Sequence, residues 1–161
     1  MIYYKDEQFG FFEIFNEKNG TLIRSDVNGV DPVSRSFPEL LDIGIMGHCV
    51  NSRLCQSAGI DCYQKGYLKD NPHMKLSEFE LIARQAAGKT FQIALGGAGD
   101  PNKHPEFQEI LNICRYYRIV PNLTTSGHEI TRHEIQLIKK YCGAVAVSWY
   151  SRLINGTEQN P

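Results

Sequence analysis

The sequence predicts a mixed α/β fold, a partial (β/α) barrel of about four parallel β/α units preceded by an N-terminal β-hairpin. Four short apolar runs occur, at residues 41–46, 91–95, 120–124 and 144–149. Such runs, separated by longer stretches with helical periodicity, are typical of parallel strands that are buried on both faces. The first 38 residues lack this alternation. We therefore divide the chain into an N-terminal hairpin leader and linker, residues 1–38, and a partial β/α domain, residues 39–161.

Turn signals in the leader predict the hairpin. The β-prone stretches 9–15 and 21–24 flank Asn19-Gly20, a dipeptide favoured in tight hairpins because both turn positions then have positive φ. Farther on, Asp31-Pro32 and Phe37-Pro38 punctuate a linker. We therefore expect the leader to pair with itself and to lie against the β/α domain.

Helix signals fill the gaps between the apolar runs. Residues 77–80, Ser-Glu-Phe-Glu, have the form of a capping box, in which a hydroxyl and a carboxylate satisfy backbone N–H groups at the start of a helix. Pro105 fits the first turn of a second helix, where its missing N–H costs nothing. Thr131 and Glu134 form another capping box and predict the start of a third helix. Crossover helices between parallel strands give a right-handed β/α array.

The composition is that of an ordinary globular protein and argues against two classes of function. Among the 161 residues, 42% are apolar and 22% are charged, with a formal net charge of −1. That balance argues against a broad nucleic-acid-binding surface. No run approaches the roughly 18 apolar residues of a membrane span, and residues 1–6 lack the features of a signal peptide. We therefore expect a cytoplasmic protein that keeps its thiols reduced.

Three of the five cysteines lie close together, directly after the first strand of the β/α domain. Cys49, Cys55 and Cys62 are separated by five and six residues. Three thiolates on a loop at the carboxyl end of a strand can bind three irons of a [4Fe–4S] cluster, which leaves the fourth iron open to a cofactor or substrate. Metal or redox chemistry is the better interpretation because disulfides are rare in a reducing compartment.

Two other interpretations of these cysteines stay open. A structural zinc site would need a fourth ligand, which His48 or His73 could supply to give a Cys₃His set. Alternatively, the three thiols bind nothing and serve as small buried apolar groups. We assign that packing role to Cys114 and Cys142, which have no candidate ligand nearby in the sequence.

The cysteine loop and three later motifs together resemble the radical S-adenosylmethionine superfamily. The loop follows the first strand, with a longer cysteine spacing than is usual in the family. Residues 96–102, Gly-Gly-Ala-Gly-Asp-Pro-Asn, resemble the family's Gly-Gly-Glu or Gly-Glu-Pro turn after the second strand. Residues 123–127, Leu-Thr-Thr-Ser-Gly, and 147–149, Val-Ser-Trp, resemble the polar endings of the third and fourth strands. The resemblance covers residues 40–150, and in barrel folds functional residues gather at these strand ends.

The resemblance implies a site in which cysteines hold a [4Fe–4S] cluster and the other motifs bind S-adenosylmethionine. The implied metal ligands are Cys49, Cys55 and Cys62. The implied cofactor-binding residues are Gly96, Gly97, Ala98, Gly99, Asp100, Thr124, Thr125, Ser126 and Ser148. The implied activity is reductive cleavage of S-adenosylmethionine, giving a 5′-deoxyadenosyl radical that abstracts a hydrogen from the substrate. No side chain is implied as a catalytic group, since the cluster and the cofactor carry the chemistry.

The resemblance also implies partners. A flavodoxin or ferredoxin would supply electrons to the cluster, and a peptide is the preferred substrate over RNA or another enzyme. The family's core usually has six β/α units, whereas the sequence shows four. A fragment, a truncated gene product and a chain that completes its barrel with a partner chain are three open explanations. The alternative to an enzyme is a non-catalytic zinc-binding or degenerate β/α module that binds a partner.

Overall fold

Two β-sheets and four α-helices form the described part of the chain. The computed structural model describes residues 1–26 and 34–148, so the predicted Asp31-Pro32 signal and Trp149 lie outside the described residues. In chain order the elements are β1 (Ile2–Asp6), β2 (Phe11–Phe15), β3 (Leu22–Asp26), β4 (Leu40–Met46), α1 (Ser52–Ser57), a 3-10 turn (Gly66–Leu68), α2 (Leu76–Ala86), β5 (Gln92–Gly97), a second 3-10 turn (Pro101–Lys103), α3 (Phe107–Tyr116), β6 (Val120–Thr125), α4 (Arg132–Tyr141) and β7 (Val145–Val147). No helix in these two ranges is long and apolar enough to cross a membrane.

Four parallel strands form the main sheet, in the order β4-β5-β6-β7. Each of the four apolar runs overlaps one of these strands, so the predicted partial β/α fold is confirmed. On one face of the sheet, Ile45, Ile93 and Leu123 pack with Phe79 of α2 and Leu111 of α3 in the main core. Burial of these apolar side chains is the principal force that holds the helices on the sheet.

The opposite face of the main sheet carries small and polar residues. Asp42 on β4 is in register with Ala94 on β5, and Ala94 is in register with Asn122 on β6. Because side chains alternate between the two faces along a strand, these three residues point away from the core under the helices. None of them is large and apolar, so this face leaves room for a cleft.

The leader forms a three-stranded antiparallel sheet in the order β1-β2-β3. The predicted hairpin is present as β2 and β3, whereas β1 is a strand that the sequence did not predict. The turn differs as well: Phe15 pairs with Leu22, and Gly20 has a φ of +74° whereas Asn19 does not have positive φ. Asn16 and Asn19 each accept a hydrogen bond from the N–H two residues on, which stabilises this wider connection.

The leader packs against the amino-terminal ends of strands in the main sheet. Phe15 stacks on Phe91, which directly precedes β5, with ring centroids 5.1 Å apart, and Val120 of β6 joins the same apolar cluster. Arg35 adds a polar contact, because its Nε lies 2.6 Å from Oε2 of the fully buried Glu13 side chain. The amino-terminal ends are therefore covered by the leader.

Helix starts match the prediction at α4 and differ at α2. At α4 the Thr131 hydroxyl accepts a hydrogen bond from the Glu134 N–H, and the Glu134 carboxylate accepts one from the Thr131 N–H, as the capping box predicted. At α2 the residue before the helix is Lys75 rather than Ser77. The Glu78 carboxylate accepts from the Lys75 N–H at 2.9 Å, so the helix starts two residues earlier than the predicted box.

Candidate functional site

A cleft of about 360 Å³ lies on the open face of the main sheet and extends to the carboxyl ends of its strands. All of the metal and cofactor ligands implied by the resemblance line this cleft. They are Cys49, Cys55, Cys62, Gly96, Gly97, Ala98, Gly99, Asp100, Thr124, Thr125, Ser126 and Ser148. Residues up to a hundred positions apart in the sequence are thus brought together around one space.

The cysteine loop leaves β4 and borders the cleft. Cys49 comes three residues after the end of β4, Cys55 lies on the short helix α1, and Cys62 follows that helix. Backbone hydrogen bonds hold the loop in shape: the Cys55 carbonyl accepts from the Ile60 N–H at 2.9 Å, and the Cys62 carbonyl accepts from the Lys65 N–H at 2.8 Å. All three cysteines are half-buried, so their thiols are shielded from bulk water yet reachable from the cleft.

Burial and neighbouring groups affect the ionisation of two of the three thiols, Cys49 and Cys55. Burial raises the pKa of the Cys55 thiol, and the neighbouring Cys49, Cys62 and Asp100 raise it further. Burial also raises the pKa of the Cys49 thiol, with additional contributions from Asp100 and Cys62. A bound metal reverses this behaviour, because a coordinating thiol is deprotonated outright. Burial therefore favours the neutral form of the Cys49 and Cys55 thiols, and a bound metal would favour their thiolates.

A single metal ion does not match the placement of the side chains. Within residues 1–26 and 34–148, no group of three His, Cys, Asp or Glu side chains is placed to hold one ion. His48 and His73, the candidate fourth ligands of a zinc site, stack on each other with ring centroids 4.2 Å apart and are not among the lining residues of the cleft. An iron–sulfur cluster sets a different requirement, because each thiolate binds a separate iron.

The Gly-rich turn after β5 lies directly against the cysteine loop. The register between β4 and β5 shifts at Met46, whose carbonyl accepts from the Ala98 N–H at 2.8 Å. Gly97 has a φ of +120°, and a Cβ there would lie 2.5 Å from the Met46 carbonyl oxygen. A Cβ on Gly99 would lie 2.9 Å from the Cys49 Cα. Glycine is therefore needed for the turn to approach the first cysteine this closely.

Two of the implied hydroxyl ligands are already engaged by the protein. Thr125 is buried, and its hydroxyl donates to Asn102 Oδ1 at 2.8 Å. The Ser126 hydroxyl donates to Asp100 Oδ2 at 2.5 Å, and the Ser126 N–H donates to Asp100 Oδ1 at 2.9 Å. These hydroxyls tie the loop after β6 to the Gly-rich turn.

The other two implied hydroxyls are available to a ligand. Thr124 and Ser148 line the cleft, and neither hydroxyl makes a hydrogen bond to another described residue. Thr124 is the exposed residue next to buried Thr125 on β6, which follows from the alternation of side chains along a strand.

Sequence reasoning missed two polar cleft residues within the strands. Asp42 and Asn122 both line the cleft. The Asn122 amide donates to Gln92 and its oxygen accepts from the Ala144 N–H, whereas Asp42 has no hydrogen bond or ion pair among the described residues. Each one interrupts an apolar run, which is the signal that could have identified it. Asp42 and Asp100 are the charged side chains among the described residues that line the cleft, so its field favours cations.

No family model and no curated protein sequence matches this chain. Solved structures do match it. SuiB from Streptococcus suis bound to the precursor peptide SuiA is 15% identical, with a TM-score of 0.62 over 91% of this chain and 46% of that chain. SuiB bound to S-adenosylmethionine is 14% identical, with a TM-score of 0.64 over 91% and 45%. BtrN in complex with AdoMet and 2-DOIA is 14% identical, with a TM-score of 0.57 over 74% and 48%.

The chain spans about half the length of the solved structures that it matches. At this level of identity the likeness concerns the arrangement of strands and helices, because one fold can carry many functions. The fold agrees with the one expected from the cysteine loop and the three later motifs. The chain therefore shares the fold of the matched parts of SuiB and BtrN.

Proposed function

We propose that this chain is part of a radical S-adenosylmethionine enzyme, in which Cys49, Cys55 and Cys62 hold a [4Fe–4S] cluster. The observation that carries the proposal is that these three cysteines and the Gly-rich turn border one cleft. The fold supports it, because the matching solved structures include SuiB bound to S-adenosylmethionine and BtrN in complex with AdoMet.

The donor set fits such a cluster. Thiolates are the protein ligands that iron–sulfur clusters take, and three of them leave one iron without a protein ligand. The other two cysteines are unsuited to the role. Burial raises the pKa of Cys114 to about 12 and that of Cys142 to about 11, and both pack in the core on the helix side of the sheet. We therefore assign the open iron to the cofactor.

The chemistry of the cleft fits S-adenosylmethionine. Its sulfonium and ammonium groups are cationic, and Asp42, a cleft carboxylate with no hydrogen bond or ion pair among the described residues, would provide a complementary charge. The hydroxyls of Thr124 and Ser148 suit the ribose, because they have no other partner among the described residues. The backbone at Gly96 suits the methionine part, because a Cβ there would meet only Asp42 Oδ1, at 3.6 Å, so glycine leaves that side of the cleft open to a ligand.

In the proposed reaction the protein binds and orients the cofactor and the substrate. When bound, the cluster would supply the electron that cleaves S-adenosylmethionine, and the resulting 5′-deoxyadenosyl radical would take a hydrogen from the substrate. The cysteine loop and the Gly-rich turn would fix the cofactor at one end of the cleft. The rest of the cleft would hold the substrate within reach and limit the access of water, which protects a reactive species.

We extend the proposal to a peptide substrate and to an electron donor. The fold is shared with SuiB, whose structure is bound to the precursor peptide SuiA. It is also shared with BtrN, whose complex holds 2-DOIA, so the fold alone does not choose the substrate. A flavodoxin or ferredoxin in the cytoplasm is the proposed donor, and a partner chain is a proposed source of further barrel strands.

Metal analysis of the anaerobically reconstituted chain tests the cluster. We expect about four irons and four sulfides per chain, as a [4Fe–4S] cluster requires. Cys49→Ala, Cys55→Ala and Cys62→Ala should each lose the bound iron and the brown absorption. Cys142→Ala is the matched control and should retain both, because Cys142 does not line the cleft. Iron retained in one of the three variants would remove that residue from the ligand set.

Two further outcomes separate the proposal from its rival. Stoichiometric zinc without labile sulfide in the wild-type chain would favour a non-catalytic zinc-binding module. If the cluster is present, 5′-deoxyadenosine should accumulate after reduction with dithionite in the presence of S-adenosylmethionine. A fully loaded cluster with no bound S-adenosylmethionine and no 5′-deoxyadenosine would contradict the proposed activity of this chain.

A further inference from the structure

The Asp100 side chain is used by the protein itself. Its Oδ1 accepts from the Ser126 N–H at 2.9 Å and its Oδ2 accepts from the Ser126 hydroxyl at 2.5 Å. The Asn51 amide of the cysteine loop approaches Oδ2 at 3.5 Å, and the Ser126 hydroxyl accepts in turn from the His128 N–H at 3.2 Å. A carboxylate can accept about four hydrogen bonds, so these contacts occupy most of its capacity.

A ligand that engaged both carboxylate oxygens of Asp100 would displace these bonds. The Ser126 N–H and hydroxyl would then lose their acceptor in a partly buried place. The free-energy penalty of an unsatisfied donor is about as large as the free energy gained from a new hydrogen bond to the ligand. The hydroxyl bond at 2.5 Å is a short, charge-assisted one. The geometry therefore favours a carboxylate that stays with Ser126 when a ligand enters.

A second, independent contact joins the same two loops. Asn102, two residues after Asp100, accepts from the Thr125 hydroxyl at 2.8 Å and donates to Glu134 Oε1 at 2.9 Å. Asn102 and Thr125 are buried, at 4% and 2% exposure, and Lys103 pairs with Glu134 at 3.2 Å. This contact anchors the loops to the start of α4 without the help of Asp100. Loss of Asp100 is therefore expected to loosen the rim of the cleft and to leave the fold in place.

Asp100 also stands where three parts of the cleft meet. The preceding residue, Gly99, lies against Cys49 so closely that a Cβ would be 2.9 Å from the Cys49 Cα. Ser126 follows β6 beside the exposed hydroxyl of Thr124. A shift of Asp100 would thus change the positions of both Cys49 and the loop after β6.

We propose that Asp100 is a positioning residue, which latches the loop after β6 and the cysteine loop onto the Gly-rich turn before the cofactor binds. This inference rests on the proposed function and assigns to Asp100 an indirect role in it. The benefit is preorganisation. Loops that already hold the right spacing around the cleft lose little conformational entropy when the cofactor binds, so more of the interaction energy appears as affinity. Asp100 acts through Ser126, so its effect on the cofactor should disappear once Ser126 can no longer respond.

A double-mutant cycle tests this dependence. Binding of S-adenosylmethionine to the anaerobically reconstituted chain is measured by equilibrium dialysis for the wild type, Asp100→Asn, Ser126→Ala and the double variant. Loss of a charge-assisted hydrogen bond predicts a dissociation constant about 10-fold higher for each single variant. The double variant should be no weaker than Asp100→Asn alone. Effects that multiply would overturn the inference, because they would mean that the two side chains contact the cofactor independently.

The matched control is Asp70→Asn, which removes an exposed carboxylate outside the cleft and should leave binding unchanged. Iron content should equal that of the wild type in every variant, because the cysteines are intact and the backbone bonds that shape their loop do not involve the Asp100 side chain. Loss of iron from Asp100→Asn would overturn a role in positioning alone. The change that S-adenosylmethionine causes in the electron paramagnetic resonance spectrum of the reduced cluster should be altered in Asp100→Asn and restored in part by Asp100→Glu, a response that a purely structural residue would not show.

Hydrogen exchange of the apo chain separates this inference from the proposed function. In Asp100→Asn the amides of Ser126 and His128 should exchange about 10-fold faster, as loss of one hydrogen bond predicts. The amides of α4 should be unchanged, because Asn102 still holds Glu134. Unchanged exchange at Ser126 and His128 would overturn the latch alone. A wild-type chain that binds neither iron nor S-adenosylmethionine would overturn the proposed function and, with it, the role of the latch in cofactor binding.

Discussion

A methyl group at residue 99 should displace Cys49 and reduce the affinity of the chain for iron. The added Cβ of Gly99→Ala would lie 2.9 Å from the Cys49 Cα, 3.0 Å from the His48 carbonyl oxygen and 3.3 Å from the Cys49 Cβ. Carbon atoms approach one another to about 3.5 Å, so Cys49 must retreat by roughly 0.6 Å, beyond the tolerance of about 0.2 Å for metal–ligand distances. Overpacking costs about 1–3 kcal/mol, which lowers iron affinity about 5- to 150-fold if the cluster-bound state carries the cost.

Iron and sulfide analysis after reconstitution, with the thermal midpoint of the apo chain measured in parallel, checks this prediction. Gly44→Ala on β4 is the matched control, because its Cβ would lie 3.5 Å from the Gly97 Cα, an ordinary contact. The control should load iron like the wild type. Wild-type iron affinity in Gly99→Ala would refute the reasoning from close packing. Equal losses in both variants would also refute it, since the loss would then not depend on distance from Cys49.

Two more predictions concern charged groups outside the cysteine loop. Burial alone would raise the pKa of Glu134, but its hydrogen bonds, including the one from Asn102, lower it to about 2. Glu134→Gln should therefore lose about 1–2 kcal/mol of stability at pH 7, after allowance for solvent screening, and this deficit should vanish as the pH falls from about 5 to 2 in urea unfolding series. A deficit independent of pH would contradict the assignment. Arg35→Met leaves the buried Glu13 carboxylate without its cation and should lower the free energy of unfolding by about 3 kcal/mol. Lys5→Met, in an exposed ion pair, should lower it by less than about 0.5 kcal/mol. Because burial raises the pKa of Glu13 to about 7, the Arg35 deficit should grow as the pH rises from 6 to 8; a deficit that shrinks over this range would count against an ionised Glu13.

The parallel strands could be predicted because their burial is recorded in the sequence itself. An apolar run such as residues 120–124 has few alternatives once helices flank it on the chain, as α3 and α4 do. The leader strand Ile2–Asp6 could not be identified in the same way, since its sequence, Ile-Tyr-Tyr-Lys-Asp, does not alternate cleanly. It becomes a strand by pairing with β2. Pairing depends on residues far along the chain, which local propensity does not report.

The candidate site could be predicted at the level of loops and only partly at the level of side chains. Parallel topology brings all strand ends to one edge, so the cysteines, the Gly-rich turn and the hydroxyls had to meet there. Which of the adjacent Thr124 and Thr125 has a buried side chain depends on the register of β6. The bond between Ser126 and Asp100 joins residues 26 positions apart, and it requires the final shape of two loops. Sequence patterns carry no direct record of such a contact.

The packing of the leader has a practical consequence for any attempt to trim the chain. A fragment that started at residue 39 would uncover the apolar surfaces of Phe91 and Val120, which now face Phe15 and Ile2. Uncovered patches of this kind promote association in solution. The leader strands therefore cover apolar surface of the main sheet. A version of the chain made without them would tend to precipitate, which would prevent any assay of metal binding by its cysteines.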